Sequence, residues 1–265
     1  MTASEIVILG CGRMGSALLG GWLAGGLDPT RVHVVEPSPS DWLRGTRVAL
    51  NGQLPSSAEV ALIAVKPQMM ASALPALRAL GGGGTLMLSI AAGTTIRALA
   101  EALGPGTPIV RAMPNTPALV GRGITALVAG PGVSAAQMDR AMALMAAVGA
   151  VERLEDEGLM DAVTALSGSG PAYVFHLIET MAAAGAAQGL APDMAMRLAR
   201  ATVTGAGELA HRSTDTAERL RVNVTSPGGT TAAALAILMD AQAGLPPLMA
   251  RAIAAAAARG RELGA

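Results

Sequence analysis

The sequence predicts an α/β fold in two parts, a doubly wound sheet followed by an all-helical domain. Three observations carry this. Short β-branched runs alternate with helix-length segments as far as about residue 155. Beyond that point no strand-length β-branched run bounded by turn signals appears again. A glycine-rich turn, G-C-G-R-M-G, lies between the first strand and the first helix.

In chain order, Glu5 to Leu9 reads as a strand, Gly15 to Gly25 as a helix and Val32 to Val35 as a second strand. Val60 to Val65 is apolar on both faces, as a central parallel strand should be. A helix follows over Met69 to Leu80, then a strand at Thr85 to Ile90 and a helix at Thr94 to Leu103. Strands at Pro108 to Ala112 and Ile124 to Ala129, a helix at Ser134 to Val148 and a strand at Val151 to Leu154 complete the alternation, which argues for parallel pairing. The segments Asp156 to Leu166, Pro171 to Gln188, Pro192 to His211, Thr216 to Val222, Thr230 to Asp240 and Pro246 to Leu263 read as helices. Pro171 and Pro192 stand in first turns, and Gly189 at a helix end. The boundary near 155 divides a domain of residues 1–155 from one of 156–265.

Composition narrows the function. Lys plus Arg and Asp plus Glu balance at 19 each, so no basic surface points to nucleic acid. Only 14% of residues are charged and the mean hydropathy is +0.46, which raises the question of a membrane. Alanine carries much of that value, and no run of about 20 uncharged apolar residues occurs. The start, M-T-A-S-E-I-V-I-L-G, lacks the basic region of a signal peptide. The one cysteine, Cys11, excludes an internal disulfide framework and cysteine metal clusters, and no metal site is expected. A soluble cytoplasmic protein is the expectation. Aromatic residues make up 2%, so the core rests on Ala, Leu, Val and Met, and burial between subunits should help it.

Gly10, Gly12 and Gly15 form G-x-G-x-x-G after a strand and before a helix. The first permits the turn, the second lets the backbone approach a pyrophosphate, and the third lets helix pack on sheet. At this position the pattern predicts a Rossmann-type dinucleotide site. The second strand ends at Glu36, which could accept the ribose 2′ and 3′ hydroxyls and favour NAD over NADP. In the other reading Glu36 faces solvent, and Ser38, Ser40 or Arg44 holds a 2′-phosphate. Lys66, the only lysine, follows the Val60 strand at the carboxyl edge, where open sheets bind ligands.

The last candidate is V-T-S-P-G-G-T-T, residues 224–231. A proline, two glycines and two threonines before a helix make an anion seat from free N–H groups. The plain alternative is a capping loop with threonine as N-cap. Ser167-Gly168-Ser169-Gly170-Pro171 is a second glycine-rich helix entry, a phosphate seat or a hinge. The three histidines, His33, His176 and His211, form no catalytic set. Asp215 is a loose candidate for a proton contact. Arg111 and Arg122 suit strand ends and loops better than substrate.

In order along the chain, G-C-G-R-M-G, A-V-K-P-Q, S-I-A-A-G-T-T-I, R-A-M-P-N-T-P-A, A-L-S-G-S-G-P-A-Y-V-F and V-T-S-P-G-G-T-T together resemble the Δ1-pyrroline-5-carboxylate reductase family. The resemblance runs over nearly the whole chain. It implies a Rossmann domain and a helical domain that dimerises by interleaving helices, with dimers commonly assembling into decamers. It implies hydride transfer from NADPH or NADH to the cyclic imine 1-pyrroline-5-carboxylate, giving L-proline.

Carried over residue by residue, Gly10, Cys11, Gly12, Arg13, Met14 and Gly15 hold the diphosphate, Ser38 lies near the adenosine ribose or its phosphate, and Asn51 could match a cofactor-contacting asparagine. Glu36 joins this set from its place at the end of the second strand, not from the resemblance. Ala64, Val65, Lys66 and Pro67 line the ribose and nicotinamide, with Ala92 and Asn115 near the nicotinamide. Asn223 bridges cofactor and substrate. Thr230 and Thr231 bind substrate. For a substrate with one carboxylate and one ring nitrogen, the loop of Ser226, Gly228, Gly229, Thr230 and Thr231 can hold the carboxylate on its N–H groups, and the Thr231 hydroxyl, the catalytic candidate, can point at the ring nitrogen. Two departures stand out. The stretch from Pro37 to Val60 is shorter than usual, which truncates its helix, and Glu36 occupies a position that is often neutral in relatives. A β-hydroxyacid dehydrogenase would want a lysine on a helix of the second domain, and that domain has none.

Overall fold

The computed structural model describes residues 5–264. The reading of the extreme N-terminus as no signal peptide rests largely on residues 1–4, outside the described residues. The chain divides into two compact units. One comprises the residues up to Gly168 together with the segment from Ala257, and the other is Ser169–Ala256. Strands end at Leu154, but the segments 156–168 and 257–264 count with the sheet-bearing unit.

The first unit is built on one sheet of β1 (Ile6–Leu9), β2 (Val32–Val35), β3 (Ala49–Leu50), β4 (Val60–Ile63), β5 (Leu86–Ser89), β6 (Ile109–Met113), β7 (Gly123–Ala129) and β8 (Gly149–Leu154). Their order is β3-β2-β1-β4-β5-β6-β7-β8. From β3 to β6 this is the doubly wound dinucleotide-binding order with all pairs parallel. The alternation predicted parallel pairing throughout, and here the structure differs: β6 and β7 are antiparallel. The connection over 114–122 is too short for a crossover helix, so it can only reverse the chain. It does so through a 3₁₀ turn, Thr116–Val120, closed by Gly121 in the left-handed region.

The helices of this unit are α1 (Arg13–Ala24), α2 (Asp41–Arg44), α3 (Met70–Ala73), α4 (Ile96–Leu103), α5 (Ala135–Ala146) and α6 (Met160–Val163). Side-chain alternation along β1 sends Ile6 and Ile8 to one face and Val7 and Leu9 to the other. The first face packs on Leu18, Leu19 and Trp22 of α1 and Met138, Leu144 and Met145 of α5. Trp22 Nε1 donates to the Leu144 carbonyl at 2.7 Å and ties those helices together. The second face packs on Leu74, Leu77 and Leu80 and on Leu99 and Leu103 of α4. Each such Leu taken out of water stabilises by roughly 1.5–3 kcal/mol. β4 is buried on both faces, as its uninterrupted apolar run required.

Two elements depart from the sequence reading. The helix expected over Met69 to Leu80 is one turn of α3 between 3₁₀ segments, Pro67–Met69 and Leu74–Leu80. Pro75 has no N–H to give and its ring disturbs the preceding turn, while Leu74, Leu77 and Leu80 at spacing three suit a 3₁₀ face. β3 is a strand that its two residues could not announce. Capping follows the sequence: Ser134 and Gln137 form a capping box on α5, and Thr95 caps α4.

In the second unit, α7 (Gly170–Ala187) and α8 (Pro192–Arg212) pack through Ala182, Ala195 and Ala199. α9 (Ala217–Asn223), α10 (Thr230–Leu238) and α11 (Leu245–Gly264) follow, the last continuing into the segment that counts with the first unit. This unit's apolar core cluster has those three alanines as its buried members, too little to stabilise a helical domain alone. Phe175 and Ile237 are 60% and 75% exposed, among many large apolar side chains left on its surface.

Candidate active site

The fingerprint loop has the geometry its glycines allow. Gly10 sits at φ 87°, and a Cβ there would lie 2.8 Å from Val65 Cγ1 and 2.9 Å from the Ala64 carbonyl. A Cβ on Gly15 would meet the Gly10 carbonyl at 2.8 Å. So Gly10 lets the loop cross against Ala64 and Val65, and Gly15 lets α1 press on the loop. Gly12 differs: nothing lies within 4 Å of where its Cβ would be. It is the N-cap of α1 and no side chain caps that end. The first N–H groups of a helix have no acceptor inside it, so Arg13, Met14 and Gly15 present donors at the positive end of the helix. Open space against uncapped N–H groups fits a diphosphate.

Glu36 is half-buried and its carboxylate is held by backbone donors. Its Oε2 accepts the Cys11 N–H at 2.8 Å and its Oε1 accepts the Ser38 N–H at 2.9 Å. Asn51 brackets the same residue, Oδ1 accepting the Glu36 N–H at 2.8 Å and Nδ2 donating to the Glu36 carbonyl at 2.9 Å. The structure therefore joins Gly10, Cys11, Glu36, Ser38, Asn51, Ala64 and Val65 around one loop. Cys11 is buried under that loop, and burial raises its thiol pKa; a hydrogen bond with Ser16 opposes the rise and the Glu36 charge adds to it. Arg13 and Lys66 are exposed, and Met14 packs against the first core.

Beyond β4 and β5, Pro67 and Ala92 line one cavity of about 350 Å³ together with Gln68, Gly93, Asp161, Thr164, Gly260 and Leu263. All of these belong to the first unit. Sequence reasoning missed Asp161 and Thr164. Their spacing of three puts them on one helical face, but nothing in the sequence says what that face meets. Asn115 is buried, and its amide is engaged away from this cavity: Nδ2 donates to the Ser167 carbonyl and Oδ1 accepts the Ile124 N–H. The segment Thr164–Gly168, just before the Ser169-Gly170-Pro171 helix entry, is π-helical. Such wide turns are frequent at functional sites.

The remaining predicted residues lie in the second unit. Asn223 is the exposed last residue of α9. Ser226 accepts the Gly229 N–H at its carbonyl, 3.0 Å, and Gly228 turns at φ 70°. The N-cap of α10 is Gly229, with no side-chain capping bond, so neither threonine is the cap. Thr230, Thr231 and Ala232 open the helix with N–H groups that find no acceptor within it. The plain reading of a threonine-capped connector therefore fails, and an anion seat fits.

Other polar groups have structural partners. His33 meets Glu5 and His176 meets Glu179, each at 3.1 Å, while His211 lies in the last turn of α8. Arg111 is buried, its Nη1 donating to Glu157 Oε1 at 2.9 Å, and the same oxygen accepts the Ile96 N–H. Asp215 takes a local turn bond from its own N–H to Ser213. Among the described residues no group of three His, Cys, Asp or Glu could hold a metal ion, and no helix is long and apolar enough to cross a membrane.

Comparison with known proteins gives consistent matches. Residues 157–263 match the family model described as pyrroline-5-carboxylate reductase dimerisation, and residues 5–93 match that of NADP oxidoreductase, coenzyme F420-dependent. Pyrroline-5-carboxylate reductase of Pseudomonas aeruginosa is 38% identical over 269 residues, covering 99% of this chain and 98% of that protein. The solved pyrroline-5-carboxylate reductase of Coxiella burnetii superposes with a TM-score of 0.91 at 35% identity, covering 99% of each chain. The Plasmodium falciparum pyrroline carboxylate reductase, solved with NADP bound, gives 0.82 at 28% identity over the full length of both.

Proposed function

The chain belongs to the pyrroline-5-carboxylate reductase family, and on that premise we propose how its residues serve the NAD(P)H-dependent reduction of 1-pyrroline-5-carboxylate to L-proline. The substrate residues are those of 156–265, and the cofactor residues are those of 1–155 together with Asn223. Gly10 to Gly15 hold the diphosphate on the uncapped start of α1, and Glu36, Ser38 and Asn51 surround the adenosine ribose. Ala64 to Pro67 and Ala92 flank the ribose and nicotinamide. When bound, the reduced nicotinamide supplies the hydride that the imine carbon accepts.

The substrate carries one carboxylate and one ring nitrogen. The N–H groups of Gly228, Gly229, Thr230 and Thr231 hold the carboxylate, a helix-end interaction of roughly 0.3–2 kcal/mol that strengthens as water is excluded. Ser226 shapes the turn, Asn223 bridges cofactor and substrate, and the Thr231 hydroxyl points to the ring nitrogen. Pro227 stiffens the loop, so less ordering entropy is lost on binding. If the imine enters protonated, the nitrogen already carries the proton that the amine needs. No general acid is then required, and alignment becomes the main contribution of these residues.

The observation that carries the reading is the α10 entry, a glycine N-cap without a side-chain cap directly before Thr230 and Thr231. The test follows NAD(P)H oxidation optically with and without 1-pyrroline-5-carboxylate. Oxidation that depends on the imine is expected, and its absence overturns the reading. The chain has a dimerisation region and assembles with itself. A dimer, or a decamer built of five such dimers, in the cytoplasm, belongs to the same proposal.

A further inference from the structure

Asn51 is the one non-glycine residue at positive φ, 53°, among the described residues. A side chain in the left-handed region is unusual outside glycine, and asparagine tolerates it better than most. The position follows β3, whose Leu50 pairs with Val34, and the Asn51 N–H donates to the Val34 carbonyl at 2.8 Å. The left-handed turn then brings the side-chain amide alongside the next peptide of the neighbouring strand. Both of its polar ends meet Glu36, one taking its N–H and the other giving to its carbonyl. In effect the amide prolongs the β2–β3 ladder beyond the last residue of β3.

The consequence lies at the carboxylate. Glu36 is half-buried, and each of its oxygens accepts one backbone N–H, from Cys11 in the fingerprint loop and from Ser38 after β2. An ionised carboxylate offers about four acceptor positions, so two stay open on a group already fixed in place. Two acceptors at the end of the second strand match a ribose with free 2′ and 3′ hydroxyls. A 2′-phosphate offers only acceptors and negative charge at the same place, and it would compete with Glu36 for the Ser38 N–H.

We propose that Asn51 is a positioning residue for cofactor choice: by fixing the Glu36 peptide it holds the Glu36 carboxylate where it receives the free ribose diol of NADH and opposes the 2′-phosphate of NADPH. This rests on the dinucleotide reading of the fingerprint loop. It gives Asn51 a role through Glu36 in addition to its place beside the ribose.

The experiment measures binding of ADP-ribose and 2′-phospho-ADP-ribose to the full chain by calorimetry, without turnover. The variants are Asn51→Gly and Glu36→Ser. Glycine adopts φ 53° freely, so Asn51→Gly removes the two amide bonds without adding backbone strain. The unmodified protein is expected to bind ADP-ribose at least about tenfold more tightly, a difference of about 1.4 kcal/mol. Asn51→Gly should lower that ratio at least about threefold by loosening ADP-ribose more than its phosphorylated form, and Glu36→Ser should lower it further. Equal loss of both ligands in Asn51→Gly would mean a merely structural asparagine and overturns the proposal. So does a preference for the phosphorylated ligand that Glu36→Ser leaves unchanged. Failure of both ligands to bind the unmodified protein overturns the dinucleotide reading itself, and the proposal with it.

Discussion

The amide of Asn115 holds the carbonyl of Ser167, Nδ2 to oxygen 3.2 Å, across 52 residues of sequence. Ser167 lies inside the π-helical segment Thr164–Gly168, where the widened turn breaks the regular ladder and leaves carbonyls in need of donors. Asn115 supplies one, while its Oδ1 takes the Ile124 N–H at 3.0 Å. The asparagine thus joins the β6–β7 turn to the glycine-rich helix entry. Asn115→Ala removes both bonds in a buried place. The first unit should lose roughly 1–3 kcal/mol, read from urea unfolding, because buried groups are left unpaired. Asn115→Asp puts a carboxylate against the Ser167 carbonyl and should be the more damaging. Equal, unperturbed midpoints for both variants would show that the link does not support the fold.

The glycines of the fingerprint separate fold from binding. Gly10→Ala strains a residue at φ 87° and drives a Cβ into Val65 and Ala64, so both thermal stability and cofactor affinity should fall. Gly12→Ala meets nothing in the protein and should leave the melting temperature nearly unchanged, while cofactor affinity drops at least about tenfold, roughly 1.4 kcal/mol. Thermal melts paired with cofactor titrations make the comparison. Full affinity in Gly12→Ala would remove the diphosphate from this loop.

Thr231→Ala should lower kcat/KM at least about tenfold, roughly 1.4 kcal/mol of transition-state stabilisation, with cofactor affinity little changed. Unaltered turnover would exclude the Thr231 hydroxyl from the reaction.

Sedimentation should give a dimer or a multiple of dimers. Phe175 and Ile237 leave too much apolar surface exposed for a lone helical unit. Phe175→Asp should weaken assembly and lower activity together. A stable, active monomer at micromolar concentration contradicts this.

Burial raises the Cys11 thiol pKa above its ordinary value. A raised folded-state pKa favours the neutral thiol. The stability it confers is present below the unfolded thiol value, about 8.5, and is lost as pH rises through the folded value. Iodoacetamide at about pH 8 should therefore modify the native protein far more slowly than the urea-unfolded chain, because the thiolate is the reactive form. Cys11→Ala should show a shallower loss of stability in alkali. Equal alkylation rates in the folded and unfolded states would place the thiol in water.

Most of the order of strands and helices, β3 and the segment after Lys66 excepted, the two-sided burial of β4 and the fingerprint at Gly10 to Gly15 were legible in the sequence. These features depend on neighbours a few residues apart, such as apolar spacing, capping side chains and glycines at turns, and local spacing is what a sequence displays. The glycine-rich entry before Thr230 was visible in the sequence too, but that no threonine caps it was decided by the structure. Only the tertiary structure decided that β7 runs against β6, that Asn51 grips Glu36, and that Asp161, Thr164 and Leu263 share a cavity with Pro67 and Ala92. Likewise, Glu157 accepts both Arg111 and the Ile96 N–H across 46 and 61 residues. Such pairings leave no period in the sequence, because each is a single contact selected when the sheet and its helices close around one core.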